Sequence, residues 1–290
     1  MAYQSVFERR EMKYLLTQEQ YEDVREAMEG RMRPDRFPVS QIRNIYYDTS
    51  DHIIAIRNNS RPYFKEKLRV RKYSGDGSAP AFVEIKTKVD QITYKRRLAL
   101  PEQDALRWLA GDDAVGGVDS QIGREIAAFR DRYPTLAPSV KLCYHRESSR
   151  PVGDEDLRMT FDRSITVTLD DLDLGGGMDG TPLIPDGCCM MELKTGTAVP
   201  LWLVEVLSRD SLYVRSFSKY GYAYRKLITG QGWTRRGFIR TLQRMERSSI
   251  PDGARMWWAR PDLNRRPSGY EPDALPAKLR ARWDTHIRTD

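Results

Sequence analysis

Residues suited to metal or redox chemistry are scarce in this chain. Three cysteines and three histidines occur in 290 residues. Cys143 stands alone, and the adjacent Cys188 and Cys189 would point to opposite faces of a strand, so no metal-ligand spacing exists. His52, His145 and His286 are scattered and read as packing or surface. The same cysteine count argues against a disulfide framework and for a reduced, cytoplasmic setting. Long apolar runs are missing too. Nothing approaches the roughly 20 residues a membrane span requires, and Met1 to Arg10 contains no secretory apolar region. No transmembrane segment is expected.

Charge is what the chain has. Lysine and arginine total 48 against 41 aspartates and glutamates, a net charge of +7, and the pI is near 9.2. An anionic partner follows: nucleic acid, an anionic membrane surface or a phosphorylated small molecule. The apolar content of 40% can form a core, and the length allows one large domain or two small ones.

The cations are patterned. In Lys65-Glu66-Lys67-Leu68-Arg69-Val70-Arg71-Lys72-Tyr73, a strand would put Lys65, Lys67, Arg69 and Arg71 on one face and Leu68 and Val70 on the other. Side chains on that face would sit roughly 6–7 Å apart. Such crowding is unfavourable unless an anion sits between the cations. Phe82 to Lys88 repeats the device with Glu84, Lys86 and Lys88 in phase, and Thr93 to Arg97 does so with Lys95 and Arg97.

Phe7 to Leu16 reads as a strand, with Arg9, Glu11 and Lys13 on one face. Thr17 and Gln20 form a capping-box signature for a helix ending near Gly30. Ile42 to Tyr47 is a second strand, stopped by Asp48-Thr49, and a short helical turn follows over Asp51 to Arg57. Gly75 to Ser78 is a hairpin loop between the first two cationic strands. Pro101 opens a helix through Trp108, and a longer one runs from about Ser120 to Arg132 with Ile122, Ile126 and Phe129 on its apolar side. Strands resume at Val140 to Glu147 and Leu157 to Arg163, where Arg158, Thr160 and Asp162 share a face, and Ile165 to Leu169 extends the sheet. A Gly- and Asp-rich loop fills Asp170 to Gly187. Met190 to Lys194 is a strand with Glu192 and Lys194 in phase; Pro200 starts a helix, and a closing helix surrounds Tyr224 to Ile228.

At least seven strands therefore carry charge on one face and apolar residues on the other. Two arrangements accommodate this: a sandwich with the charged face in solvent, or a barrel with a polar, cationic lumen and helices outside. A lumen of arginines and lysines suits a polyanion of phosphates, through charge-assisted and bidentate contacts.

Eight motifs occur in order: Arg10-Glu11-Met12-Lys13-Tyr14, Asn44-Ile45-Tyr46-Tyr47-Asp48-Thr49, Leu68-Arg69-Val70-Arg71, Val83-Glu84-Ile85-Lys86, Tyr144-His145-Arg146, Arg158-Met159-Thr160-Phe161-Asp162, Met191-Glu192-Leu193-Lys194 and Phe217-Ser218-Lys219-Tyr220. Together they resemble the VTC domain, the polyphosphate polymerase branch of the triphosphate tunnel metalloenzymes in the wider CYTH-like superfamily. The resemblance covers about Phe7 to Ile228, and its strength lies in the eight motifs in register, none of them specific alone. It implies an α+β fold: an antiparallel β-barrel tunnel with a cationic lumen and helices packed outside. It further implies binding of triphosphate and of a divalent cation (Mn²⁺ or Mg²⁺), and synthesis of inorganic polyphosphate from ATP.

Carried over by motif, Lys13, Arg69, Arg71, Lys86, Arg146, Arg158 and Lys219 would line the tunnel and grip phosphate oxygens, joined by Lys95 and Lys194. Glu192 would hold the metal, with Glu84 and Glu11 as second carboxylates. Plainer roles stand beside these: exposed strand lysines for Lys13, Lys95 and Lys194, structural counter-ions for Glu84 and Glu192, a strand stop for Asp48 and Thr49, packing for Tyr46 and Tyr47. Hydrolases and cyclases of the superfamily typically begin with Glu-x-Glu-x-Lys. Here the first acidic position is Arg9, which weakens a hydrolase-type metal site. The readings to separate are a polymerase using ATP and polyphosphate, a triphosphatase, and a non-catalytic polyphosphate or inositol phosphate binder. Nucleic acid is disfavoured, since the cations interleave with carboxylates and no exposed aromatic platform accompanies them.

The domain so described spans 1–230. The remainder, 231–290, is expected to be a disordered extension. Within it Ala259 to Pro276 resembles the peptide that arises when a tRNA gene is translated, and a basic tail for nucleic acid or membrane surfaces is the alternative.

Overall fold

Strands that alternate cations with apolar residues need a different environment on each face, and the architecture supplies both. The computed structural model describes residues 10–60, 63–73, 79–89, 92–228 and 230. The segment after 230, with the tRNA-like stretch, and the loop at Gly75 to Ser78 lie outside them.

In chain order the elements are β1 (Arg10–Leu16), α1 (Gln18–Met28), β2 (Met32–Asp48), α2 (Ile53–Asn59), β3 (Phe64–Tyr73), β4 (Ala81–Val89), β5 (Ile92–Leu100), α3 (Glu102–Leu109), α4 (Gln121–Arg132), β6 (Ala137–Pro151), β7 (Leu157–Thr168), β8 (Thr181–Pro182), β9 (Cys189–Thr195), α5 (Leu201–Arg209) and α6 (Lys219–Leu227). The strands form one sheet in the order β1-β9-β7-β6-β2-β3-β4-β5, with β8 on β7. Every recorded pairing is antiparallel.

One face is apolar and carries helices. Leu68 and Val70 of β3, Val83 and Ile85 of β4 and Ile45 and Tyr47 of β2 pack against Ala105, Trp108, Ile126 and Phe129 of α3 and α4. Met159 and Phe161 of β7, Met191 and Leu193 of β9 and Leu16 of β1 pack against Val24 and Met28 of α1 and Leu203 and Val206 of α5. Each fully buried aliphatic side chain contributes about 1.5–3 kcal/mol. Glu66, in phase with Leu68, is buried on this face and fully answered: Arg132 Nη1 donates at 3.0 Å to each carboxylate oxygen and Tyr133 donates its hydroxyl at 2.7 Å. Local signals are realised as expected. Thr17 Oγ1 accepts from Gln20 N at 3.2 Å, and Gln20 Oε1 accepts from Thr17 N at 3.0 Å. Ser120 caps α4 through Gly123 N.

The other face is concave. Glu11 of the edge strand β1 reaches Lys86 of β4 at 3.5 Å, although five strands stand between them along the hydrogen-bonded path. This curl corrects the expected closed barrel. β1 and β5 remain edges, and no backbone ladder joins them among the described residues. A side-chain ion pair spans the seam instead. Lys13, Lys67 and Lys86 already disfavour one another's charge there, so tightening the seam would press like charges together.

At one end the concave face turns apolar. Ser164, with φ 48°, lies at a register shift between β6 and β7. It reverses the phase of β7, so that Ile165 and Val167 join Leu142 and Tyr144. Tyr220, Tyr222 and Ala223 of α6 pack onto these residues and close that end. Asp48 ties the closure together: its carboxylate accepts from Ile54 N and Ala55 N of α2, both at 2.9 Å, and from the Tyr220 hydroxyl.

β2 begins at Met32, ten residues before the expected Ile42. Its first part carries Pro34, Pro38 and a bulge between Pro34 and Val39, features that mask strand alternation. The cysteines are all free. Among the described residues no helix is long and apolar enough to cross a membrane.

Candidate functional site

The charged residues of β3, β4 and β5 converge on Glu84. Register sets Arg69 opposite Glu84 and Glu84 opposite Arg97. Arg69 donates to Glu84 Oε2 through Nε (2.8 Å) and Nη2 (2.6 Å), while Arg97 Nε and Lys95 Nζ each lie 2.7 Å from Oε1. Arg71 Nε stands 4.0 Å away. Burial opposes the charge on Glu84, but these cations outweigh it and hold the carboxyl far below the usual range. Burial also lowers the Lys95 ammonium, to about 8 even with Glu84 beside it.

A second buried carboxylate, Asp162, organises β6, β7 and α6. Arg146 grips it bidentately, Nε to Oδ1 at 2.6 Å and Nη2 to Oδ2 at 2.8 Å, and Lys219 Nζ reaches Oδ2. Ser218 caps α6 through Gly221 N, which places Lys219 in the first turn and facing the sheet. Arg71, 5% exposed, is held from three sides: Nε donates to Asn44 Oδ1 (2.7 Å), Nη2 to the Tyr144 hydroxyl (3.0 Å) and Nη1 to the Tyr73 hydroxyl (3.3 Å).

On the concave face Glu11 and Glu192 share a cation, Lys13, between them. Lys13 Nζ lies 2.9 Å from Glu11 and 4.0 Å from Glu192, and Lys194 Nζ lies 2.6 Å from Glu192. Lys13 also donates to the Phe217 carbonyl at 3.1 Å. Burial pushes the Glu11 carboxyl up, and Glu192 adds to that push. Lys13, Lys86 and Lys194 overcome both and bring it to about 2. Both groups are anionic at neutral pH, and both offer hard oxygen donors.

Lys67 is the exception to this pairing. Its ammonium sits 5.9 Å from the centre of the Tyr46 ring, and no carboxylate lies within ion-pair distance among the described residues. Burial drives its pKa down to about 7; Tyr46 pulls it up, and Lys86, Lys13 and Arg69 add to the fall. Tyr46 stacks on Tyr220 with centroids 4.8 Å apart and accepts a hydrogen bond from Arg69 Nη1 at 2.9 Å. Burial would raise its hydroxyl, yet Arg69, Lys67 and Arg71 bring it to about 7. An excess of positive charge is thus held on a desolvated surface.

Eleven of the twelve residues carried over from the motifs are linked in these clusters. Arg158 lies further out, half exposed, bound to Asp35 at 2.9 Å and to Ser148 Oγ at 3.2 Å. Motif transfer passed over Lys67, Arg97, Asn44, Tyr144 and Asp162. The period-two pattern already put Lys67 in phase with Arg69, Arg97 with Lys95 and Asp162 with Arg158. Register across strands, which the pattern does not contain, makes them partners.

The fold and these clusters define a class: a curled antiparallel sheet with helices on its convex face and a cationic concave face. The VTC domain family matches residues 8–228, and the chain belongs to that family. Among solved structures, the PH1819 protein from Pyrococcus horikoshii OT3 is similar at 14% identity and a TM-score of 0.35, covering 81% of this chain and 98% of that one. A putative adenylate cyclase from Bacillus halodurans is similar at 16% identity and a TM-score of 0.39, with 83% and 91% covered. Another from Vibrio parahaemolyticus is similar at 12% and 0.40, with 76% and 98% covered. Comparison with curated proteins gave no match.

Proposed function

We propose that this protein is a metal-dependent polyphosphate polymerase of a cytoplasmic setting, moving the γ-phosphoryl group of ATP onto a growing inorganic polyphosphate chain and releasing ADP. The observation that carries this is the concave face itself. Cations from β1, β3, β4, β5, β6, β9 and α6 are held in fixed geometry by buried counter-ions and phenols, and Lys67 is left without a carboxylate among the described residues. Membership in the VTC family supports the same reading.

Phosphoryl transfer asks little covalent chemistry of a protein; it asks for positioning and for neutralisation of charge on the equatorial oxygens. Arg69 and Arg71 present guanidinium groups locked by Glu84, Asn44 and Tyr144, so they need no reorganisation as charge builds. Lys13, Lys67 and Lys86 offer point charges nearby, and Arg146 and Lys219 complete the opposite wall. The attacking oxygen belongs to the chain's terminal phosphate and is already anionic, so no enzyme nucleophile is required. As it bonds to the γ-phosphorus, the bond to the β–γ bridging oxygen breaks and ADP departs with that electron pair.

The donor set fits a divalent cation of the Mg²⁺ or Mn²⁺ kind, which often uses one or two protein carboxylates and takes its remaining ligands from water and phosphate. Glu192 with Glu11 would hold it. Glu84, engaged on both oxygens by Arg69, Lys95 and Arg97, serves as the counter-ion of the cation cluster. Bound there, the ion would supply Lewis-acid neutralisation of the charge that develops in the transfer.

The test is incubation with ATP and Mn²⁺, followed by a gel that resolves polyphosphate lengths. A ladder that grows as ADP accumulates is the expected result. Orthophosphate without a ladder replaces the polymerase by a triphosphatase, and binding of polyphosphate with neither product replaces it by a binding module.

A further inference from the structure

The cationic surface continues past the concave face. At their far ends β2 and β6 pair as a ribbon, with Met32 opposite Pro151, Arg33 opposite Arg150 and Pro34 opposite Ser149. Arg150 lies in phase with Arg146 and Ser148 of β6, the side that bears the Asp162 cluster. The register between β6 and β7, Ser148 with Thr160 and Ser149 with Met159, carried on one residue, sets Arg150 beside Arg158. Arg158 in turn stands opposite Lys194 of β9. One cation from each of four neighbouring strands therefore falls in a single row. At about 4.8 Å per strand the row spans roughly 14 Å.

Like charges directly opposite one another destabilise a sheet, and the row is under-compensated. Lys194 is answered by Glu192. Arg158 is answered by Asp35, which also accepts from Ser148 Oγ at 3.1 Å and from its neighbour Arg36 N at 2.8 Å. Asp35 stands on the bulge between Pro34 and Val39 and comes from outside the row. Arg33 and Arg150 are exposed, and neither makes a side-chain hydrogen bond or ion pair among the described residues; Arg150 contributes only a longer-range pull on Asp35.

We propose that Arg33, Arg150 and Arg158 form an external track for the part of an inorganic polyphosphate chain that lies outside the concave site, with Asp35 as the counter-ion the chain displaces. This rests on the polyphosphate reading above. The row joins the site through Lys194, so a single linear polyanion can touch both. Guanidinium forks match phosphate oxygens, and the DNA arm of the test below separates that contact from base stacking on the exposed Phe37 of the bulge. A triphosphate seated among Arg69, Arg71 and Lys13 is too short to reach Arg33. A long chain engages both segments, and the second contact adds to the first by effective concentration.

The test measures binding of tripolyphosphate, of long-chain polyphosphate and of a single-stranded DNA oligonucleotide to the full chain and to an R33A/R150A double variant. Wild type should bind the long chain at least ten-fold more tightly than tripolyphosphate, on the order of what a second linked contact provides. The double variant should lose most of that gain while its tripolyphosphate affinity stays within about two-fold, since a single triphosphate has no second contact to lose. Equal affinities for the two lengths in wild type, or a variant that keeps the length dependence, overturns the track and leaves the function standing. DNA binding that falls by the same factor shows an unselective anionic-surface contact and also overturns it. Wild type that binds neither phosphate overturns track and function together. Should the double variant be unstable, the salt dependence of wild type decides. The log-affinity slope must be steeper for the long chain than for tripolyphosphate, because each extra neutralised phosphate adds to the slope; equal slopes overturn the track.

Discussion

Arg71 has little freedom among the cations of the concave face, with three neutral partners fixing its fork and none of them cancelling its charge. Such a group acts by preorganisation. Arg71→Ala should lower the rate of chain synthesis by about 100-fold or more, the scale seen when one preorganised donor is lost, with the thermal midpoint as the check that folding survives. Asp162 plays the opposite part. It is fully buried and compensates Arg146 and Lys219, so Asp162→Asn strands buried positive charge and should cost about 3–5 kcal/mol, read by denaturant unfolding. Its carboxyl and those of Glu11 and Glu84 are all depressed in the folded state. The stability they add is complete above the unfolded carboxylate range near 4 and drains away as pH falls toward about 2. Lys67 and Tyr46 make a third residue-scale prediction. Both titrate near 7, Lys67 brought down by burial and neighbouring cations and Tyr46 brought down by cations against burial, and an arriving phosphate raises both. Tripolyphosphate binding at pH 8 should therefore take up protons, and affinity should fall as pH rises through 7. Calorimetry in buffers of different ionisation enthalpy measures the uptake; Lys67→Met should diminish it, and an unchanged uptake would show that Lys67 is not its source.

Among the elements, α6 links the closed end to the site. Its apolar side seals the concave face through Tyr220 and Tyr222, and its first residue, Lys219, reaches Asp162. Tyr220→Phe removes a buried hydrogen bond to Asp48 and should cost about 1–3 kcal/mol. Chain synthesis should fall with it, because Lys219 loses its fixed approach; full activity at reduced stability would separate the seal from the site. This element also shows where a sequence is silent. A helix near Tyr224 is legible from its apolar spacing, and Ser218 marks its start. That it packs on the concave face and not outside depends on the phase reversal at Ser164, a backbone event with no composition signature. The early part of β2 was illegible for a related reason: two prolines and a four-residue bulge erase the alternation on which strand reading depends.

At the scale of the molecule, the described residues fall in one compact unit, and every group in the proposed site lies within it. Removing residues 248–290 should leave the thermal midpoint and chain synthesis unchanged, measured on the shortened and full chains side by side; loss of either makes the segment part of the domain. Much of this domain was legible beforehand. Alternation of Lys65, Lys67, Arg69 and Arg71 with Leu68 and Val70, the capping box at Thr17, a helix start near Ser120, and the charge balance follow from spacing and side-chain chemistry, which are local properties. The sequence by itself thus determined that one face of the sheet is cationic and that the other is apolar. Only the tertiary structure decided that Glu84 is encircled while Glu11 and Glu192 share Lys13, that Asp162 anchors two cations, and that among the described residues Lys67 has no carboxylate and the sheet curls without closing. Those outcomes depend on cross-strand register and curvature, which set distances between residues far apart in the chain and which no local pattern encodes.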